Sequence, residues 1–295
     1  MPNYIDALGD AVRGAIRAYH GSPYDFDAFD AAKIGTGEGN QAYGRGLYFA
    51  GNQNVARTYR DDLSRRSMKV EGAKTPWTES TMDDMGVRPS ARVAIRMAMR
   101  DQADPINRLL QAQSGHSPLS KYWNEYQDAI KLLQGATGKL IPNPGKMYEV
   151  EIAHPENSLL DYDATLPNQP EHVRSILPSL NLPLADATPP TLKAVYGIEE
   201  PTNITGREIQ IALNRNEMAH RGAEWAQREA AAAKTFADAG IPGVRYLDQG
   251  SRNTGPSGTR NYVMFPGTED SIRILRKYGI GGAAAGAAMS DEEQY

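Results

Sequence analysis

The chain has 295 residues, of which 40% are hydrophobic, and a formal net charge of −4. This length is enough for one large domain, or for one domain with a substantial insertion, around a sizeable core. The mildly acidic balance argues against bulk affinity for nucleic acid, although it is compatible with a local basic patch. The chain has no cysteine, so disulfides, thiolate metal ligands and a cysteine nucleophile are excluded, which fits a reducing compartment.

The two ends of the chain carry no predicted targeting or membrane segment. Residues 1–17 include Asp6, Asp10 and Arg13 and lack the uninterrupted apolar run of a secretory signal. No stretch approaches the roughly 18 apolar residues of a membrane span. Residues 280–295 are rich in glycine and alanine and then acidic, which predicts a flexible tail or an attachment segment.

Two short apolar runs near the start are predicted to be strands. The first, residues 16–20, ends in a histidine that Gly21 and Ser22 follow. The second covers residues 47–50 and has glycines on both sides. A helix over about 54–68 follows, with apolar side chains at four-residue steps. We expect these pieces to bring an imidazole, a bare backbone and two tyrosines together, a set that suits a flat heteroaromatic ligand with an amide and sugar hydroxyls.

A glycine-rich run over residues 34–40 lies between the two strands. A dinucleotide fingerprint would need this run between a strand and a helix, with a ribose-binding acid downstream, and a P-loop would need Gly-Lys-Ser/Thr. Neither context is present, so both nucleotide-binding loops are disfavoured. The run is predicted to be either a surface loop or a loop that lines the ligand site.

Residues 70–140 are predicted to form an inserted helical layer. Helical composition extends over 91–100 and resumes over 106–113, with Pro105 between them. A further helix over 120–134 places its apolar side chains on one face and stops at a glycine.

The second half of the chain alternates strands with helices. Strands are predicted at residues 146–153, 244–247, 260–265 and 272–275. Helices are predicted near 170–177, from 205 onwards, where Thr205 and Glu208 form a capping box, and over about 221–239.

Glu149 and Glu151 are predicted to lie on one side of the strand at 146–153. They invite comparison with the Glu-x-Glu pair of the arginine-serine-glutamate class of transferases. That class also needs an early arginine strand and a Ser-Thr-Ser strand, and neither is present. A solvent-facing strand face is the favoured interpretation of the pair.

Several blocks in fixed order resemble the NAD-binding core of diphtheria-toxin/PARP-type ADP-ribosyltransferases. They are His20-Gly21-Ser22, the run Gly44-Arg45-Gly46-Leu47-Tyr48-Phe49-Ala50, and Tyr59, followed by blocks at 146–163 and 224–275. More narrowly, residues 19–60 are similar to the ADP-ribosyltransferase domains of phage virion-associated and large polyvalent proteins.

The resemblance implies an α+β fold in which two small packed β-sheets surround an NAD cleft, with a helical insertion. The corresponding boundaries are 1–69 for the first half of the core, 70–140 for the insertion, 141–279 for the second half and 280–295 for the tail.

The resemblance also implies roles for the residues that match. Gly21 would bond the nicotinamide carboxamide through its backbone, and Ser22 would assist. His20 would bond a hydroxyl of the adenosine ribose. Tyr48 and Tyr59 would sandwich the nicotinamide ring, and Gly46 belongs to the same NAD-binding set.

Two positions depart from the family pattern. A serine that helps to hold the carboxamide in PARP-type enzymes is replaced by Ala56. The third catalytic position, a glutamate in the family, is Asn261. Asp248 and Glu224 are candidates for a substitute carboxylate.

The polar loop next to Asn261 is where this family keeps contacts to the acceptor, and Gln249 and Arg252 are the predicted acceptor-side residues.

The expected function is an NAD-dependent mono-ADP-ribosyltransferase, phage-encoded and acting on a host protein or nucleic acid. NAD would be a co-substrate, and no metal or membrane is expected to take part. The alternatives are an NAD glycohydrolase, and a virion or structural protein that keeps a degenerate cleft and contacts other virion proteins. The expected location is the host cytoplasm, with carriage in the virion as the alternative.

Overall fold

The computed structural model describes residues 14–34, 41–65, 67–70, 76–101, 103–135, 140–182, 204–221, 225–248, 250–251 and 258–279. The predicted tail at 280–295 and most of the glycine-rich run lie outside these ranges, as do Glu224, Gln249 and Arg252.

The described residues form nine strands and eight helices. The strands are β1 (Ile16–Ser22), β2 (Leu47–Ala50), β3 (Met68–Val70), β4 (Leu140–Pro142), β5 (Lys146–Ile152), β6 (Leu160–Asp161), β7 (Gly243–Leu247), β8 (Arg260–Met264) and β9 (Ile272–Gly279). The helices are α1 (Gln53–Arg65), α2 (Glu79–Asp84), α3 (Pro89–Arg100), α4 (Pro105–Ser114), α5 (Lys121–Gly135), α6 (Glu171–Ile176), α7 (Gly206–Arg221) and α8 (Trp225–Asp238).

Seven strands form one mixed sheet in the order β6-β7-β8-β2-β1-β5-β9, and β3 and β4 form a separate ribbon. Among the described strands, β6 and β7 are parallel and the other neighbours are antiparallel. The predicted mixed α+β class is confirmed, but the prediction of two small sheets is wrong, since the main sheet is continuous. The reason is the pairing of Tyr19 with Ala50, which joins a four-stranded half to a three-stranded half.

Helices α2 to α5 lie between β3 and β4 in sequence and have a core of their own, which includes Ile95, Leu109 and Ile130. Pro105 is the first residue of α4, where its missing N–H costs nothing, and the Asp104 side chain caps that end. Because β3 pairs with β4, the two ends of this helical segment meet.

Local sequence signals account for the ends of the last two helices. The backbone N–H of Thr205 donates to the Glu208 carboxylate at 2.9 Å, which is the returning half of the predicted capping box at the start of α7. Helix α8 is followed by Gly240, whose φ of +97° lies in the left-handed region that glycine adopts without strain.

Side chains of the main sheet alternate between two faces, because successive residues of a strand point to opposite sides. The face that carries Tyr48 and Tyr246 packs against α7 and α8, and its part over β1 packs against α1; we call it the helix face. The opposite face carries Phe49 and Tyr148 and is covered by aromatic side chains of residues 26–29; we call it the loop face.

The apolar stripe predicted for α1 is rotated by one position. The buried side chains of α1 are Ala56, Arg60 and Ser64, whereas Tyr59 is 57% exposed. The cause is the close approach of β1, because a Cβ on Gly21 would lie 2.3 Å from the carbonyl oxygen of Ala56. The helix therefore turns its smallest side chain to the strand.

The solvent-facing prediction for the Glu149 and Glu151 pair is wrong for Glu149, whereas the contact of Glu151 with Arg273 is exposed. Glu149 is buried, and Tyr278 donates to its carboxylate at 2.6 Å. Glu151 is paired at 2.8 Å with Arg273 on the neighbouring strand. Both carboxylates hold β5 to β9, which is a structural role.

Candidate functional site

The ladder between β1 and β2 contains one register pair, Tyr19 with Ala50. On the other side of β2, the N–H of Gly51 donates to the carbonyl of Arg260 at 2.8 Å. Peptide groups alternate along a strand, so those of Ala50 and Tyr48 point towards β1. The strands therefore separate just where the Tyr48 carbonyl would meet its next partner.

That next partner on β1 would be Gly21, two residues on from Tyr19. Instead, the Tyr48 carbonyl oxygen lies 2.8 Å from Nδ1 of His20. Since a carbonyl can only accept, Nδ1 carries the proton, and Nε2 of the neutral ring is an acceptor. The side chain of His20 thus replaces the backbone of Gly21 as the donor, and the Gly21 peptide edge has no ladder partner on the β2 side.

The His20 ring lies on the loop face in an aromatic enclosure. Its centroid is 6.2 Å from that of Phe26, 5.2 Å from Phe29, 5.7 Å from Phe49 and 6.3 Å from Tyr148. Burial lowers the pKa of His20 below its usual value, and the hydrogen bond to the backbone carbonyl opposes that change. The ring is therefore neutral at physiological pH.

Tyr48 points to the helix face, opposite to His20, because the two residues occupy alternate positions of the joined strands. Its hydroxyl donates to the Gly44 carbonyl at 2.7 Å and accepts from the backbone N–H of Tyr43 at 3.2 Å. Burial raises its pKa. The Tyr48 ring is thus anchored to the turn before β2, and it does not share a face with His20 as the sequence had suggested.

Asn261 lies on the helix face of β8, opposite Ala50 on one side and Tyr246 on the other. It is 5% exposed, and its Oδ1 is buried with no hydrogen-bond partner. Its side chain is close enough to the Tyr246 phenol to lower the pKa of that group, against the larger effect of burial. An unpaired buried acceptor is costly, and a ligand group that donates to it would remove this cost.

Tyr59 on α1 approaches the same place from above the sheet. Burial raises the pKa of Tyr246, and the nearby phenols of Tyr59 and Tyr48 raise it further. These three phenols therefore lie near one another. Among the described residues, no ring contact joins Tyr48 to Tyr59, so the two predicted walls of the nicotinamide slot do not stack on each other.

The two glycines predicted to bind NAD have packing reasons to be glycine. A Cβ at Gly21 would strike the backbone of α1, and one at Gly46 would lie 2.4 Å from the Met264 carbonyl oxygen. Ser22 is buried, and its Oγ accepts from the backbone N–H of Tyr24 at 3.1 Å. Its hydroxyl proton remains able to serve a second partner.

Of the two candidate substitute carboxylates, Asp248 lies within the described residues and Glu224 does not. Asp248 is buried, and its Oδ1 accepts from the backbone N–H of Ser251 at 2.8 Å, so it holds the turn after β7. Glu224 and the two acceptor-loop residues, Gln249 and Arg252, lie outside the described residues.

Tyr246 is the residue of this site that the sequence reasoning missed. It stacks on Tyr43, with ring centroids 3.7 Å apart and planes 10° apart. The signal was available in part: Val244 and Tyr246 alternate within a predicted strand and so share one face. Its pairing with Asn261 depends on the register of β7 and β8, which no local pattern specifies.

In the described part of the chain, no group of three or more His, Asp or Glu side chains is arranged to hold a metal ion. The helices among the same residues include none that is long and apolar enough to cross a membrane.

Compared with known proteins, the chain matches no family model, no curated protein and no solved structure.

Proposed function

We propose that this protein is an NAD-dependent mono-ADP-ribosyltransferase whose cleft lies on the helix face, at the separation of β1 and β2. The observation that carries the proposal is the buried Oδ1 of Asn261, which has no partner. Asn261 lies opposite Tyr246, whose pKa is raised in part by the phenols of Tyr48 and Tyr59. A ribose hydroxyl is the kind of donor that this acceptor needs.

The open edge of β1 supports the same ligand. The peptide groups of Gly21 face the gap that β2 leaves, and a carboxamide has both the acceptor and the donor to pair with them. His20 maintains the gap by holding the Tyr48 carbonyl at 2.8 Å. Because the His20 ring lies on the loop face, its Nε2 does not face the proposed cleft, and the contact with the adenosine ribose that the resemblance implies is not part of this proposal.

In the proposed reaction, the bond between C1′ of the ribose and N1 of nicotinamide breaks, and its electron pair leaves with nicotinamide. The ribose becomes oxocarbenium-like, as in glycoside cleavage. The acceptor supplies an electron pair to C1′ and releases its proton to solvent, which completes the transfer.

The amide of Asn261 restricts this chemistry. It can orient the 2′-hydroxyl by a hydrogen bond, but it supplies no negative charge beside the oxocarbenium and takes no proton from an acceptor. The acceptor must therefore be nucleophilic already. Transfer of one ADP-ribose unit to a host protein or nucleic acid in the cytoplasm fits this limit better than polymer formation does.

The same neutral amide favours a second candidate, an NAD-binding protein that turns NAD over only to water or not at all. Such a protein would release free ADP-ribose without labelling a target, or would bind NAD as part of a phage particle without releasing nicotinamide.

The test is nicotinamide release from NAD in bacterial lysate, with labelled ADP-ribose followed into macromolecules. Wild type is compared with Tyr48→Ala, Asn261→Ala and Asn261→Glu. Gln113→Ala is the matched control, because Gln113 is a similarly buried amide in the helical insertion, where its Nε2 donates to the Trp123 carbonyl at 3.1 Å.

We expect release by wild type, at least a tenfold loss in the two alanine variants of the cleft, and activity per folded molecule unchanged in Gln113→Ala. Asn261→Glu is expected to accelerate release, because it restores the missing carboxylate. Release without a labelled macromolecule would select the glycohydrolase. No release, with no stabilisation of the fold by NAD, would refute the proposal.

A further inference from the structure

Tyr246 is directly opposite Asn261 on the neighbouring strand, where paired side chains are about 5 Å apart at Cβ. Oδ1 of Asn261 is the amide atom that is buried without a partner, so the NH₂ end of the amide is the end available to the phenol. Contact with Asn261 lowers the pKa of the phenol, against the larger effect of burial, which is the direction expected when an N–H is aimed at the phenol oxygen.

The Tyr246 ring packs against a second aromatic ring. It is buried and stacked on Tyr43 at 3.7 Å. The Tyr43 backbone is held in turn by Gln210 of α7, whose Nε2 donates to the Tyr43 carbonyl at 3.0 Å. A chain of contacts therefore leads from α7 through Tyr43 and Tyr246 to the position of Asn261.

We infer that Tyr246 is the positioning residue of the cleft, which fixes the amide of Asn261 so that Oδ1, and not the NH₂ group, is presented to the ribose of NAD. The two ends of an asparagine amide differ in chemistry but hardly in shape, and the terminal torsion of asparagine is broad. A partner that accepts from Nδ2 selects one of the two orientations. This inference rests on the proposed function, because it names NAD as the ligand of Oδ1.

The removal of the phenol hydroxyl alone is the cleanest perturbation, since Tyr246→Phe keeps the ring and its stacking on Tyr43. A double-mutant cycle combines it with Asn261→Ala. The matched control is Tyr262→Phe, on the loop face of the same strand as Asn261, where the hydroxyl donates to Glu156 instead.

Each protein is measured twice. Urea unfolding without NAD reports whether residues 246 and 261 are coupled in the free protein. NAD affinity by titration calorimetry reports whether that coupling reaches the ligand.

We expect Tyr246→Phe to weaken NAD binding roughly tenfold in the wild-type background, about the effect of one hydrogen bond, and less than twofold in the Asn261→Ala background. Tyr262→Phe should change NAD affinity less than twofold in either background. Coupling in both measurements would support the inference.

Two results would overturn the inference and leave the proposed function standing: no coupling in unfolding, or an equal loss of NAD affinity from Tyr246→Phe in both backgrounds. If wild type binds no NAD, the proposed function and the inference fall together. Coupling that persists in unfolding would then identify the pair as a packing contact only.

Discussion

Two buried polar residues of equal burial differ sharply in how they are satisfied. Glu149 and Asn261 are each 5% exposed. They lie in one cross-strand row of the helix face, joined through the register pairs of Tyr19 and Ala50. One carries a full charge and the other is neutral.

Glu149, the charged residue of the two, has three partners for its carboxylate. The Glu149 carboxylate accepts from Tyr278 at 2.6 Å and lies 3.3 Å from Arg17 and 3.9 Å from Arg276. The neutral Asn261 keeps one acceptor unpaired. A charge with partners on three sides serves the fold, whereas the unpaired acceptor of Asn261 is the one that the proposed ligand would satisfy.

The largest loss of stability is expected where α1 contacts β1. Strand β1 lies in the cross-strand row between Glu149 and Asn261. Gly21→Ala would place a Cβ 2.3 Å from a backbone oxygen of α1, so the helix or the strand would have to shift. We expect a loss of about 3 kcal/mol in the free energy of unfolding, measured in urea. Gly135→Ala is the control: a Cβ there meets nothing within 4 Å, so the loss should be below about 0.5 kcal/mol. Equal stability of the two variants would contradict the close packing of α1.

The comparison itself predicts opposite outcomes for its two residues. Glu149→Ala should lower the free energy of unfolding by about 2 kcal/mol, because it removes a charged acceptor from a buried hydrogen bond, and should leave NAD affinity unchanged. Asn261→Ala should cost less stability and should weaken NAD binding without abolishing it. Glu149→Gln, which keeps an acceptor for Tyr278, should recover part of the loss. If Glu149→Ala weakened NAD binding more than Asn261→Ala did, the division between scaffold and site would fail.

Local patterns predict the elements that carry these residues but not their surroundings. The strands at 16–20 and 47–50 and the capping box at Thr205 follow from neighbours a few positions apart, and the structure contains them. The burial of Glu149 depends on Arg17 and Tyr278, which come from strands far away in sequence. A solvent-facing interpretation of that strand was therefore natural and wrong.

For the candidate site as well, local patterns predict which residues belong to it but not how they are arranged. Short motifs mark Tyr48, Tyr59 and Asn261, all of which lie on or over the helix face. Only the register of β1 with β2 shows that His20 points to the other face. The one-position rotation of α1 likewise follows from Gly21, a residue outside the helix.

The hydrogen bonding of His20 is intermediate between that of Glu149 and that of Asn261. Its Nδ1 donates to the Tyr48 carbonyl, and its Nε2 is an acceptor. Burial lowers its pKa from the usual 6.5, so the unfolded chain binds more protons than the folded one as the pH falls. The stability that neutral His20 contributes is thus complete above pH 6.5 and is lost below it. His20→Asn keeps a donor for the Tyr48 carbonyl but does not titrate.

In urea unfolding between pH 7.5 and pH 5, wild type should lose stability more steeply than His20→Asn, by up to about 1.4 kcal/mol per pH unit. His154 has a lowered pKa as well and is retained in both proteins, so it does not affect the difference. Parallel pH profiles would show that His20 is accessible to protons, and the aromatic enclosure would have to be open.

The smallest effects on stability are expected at two exposed tyrosines, one above the proposed cleft and one in the helical insertion. Tyr59 is 57% exposed on α1, and Tyr122 is 51% exposed on α5. Each alanine variant should change the free energy of unfolding by less than about 0.5 kcal/mol, because little surface is buried at either position. Tyr59→Ala alone should weaken NAD binding, by up to about tenfold, if its ring stacks on nicotinamide. Equal NAD affinities for the two variants would show that Tyr59 does not contact NAD. The proposed ligand contacts would then be those of Asn261, Tyr246 and the Gly21 peptide groups.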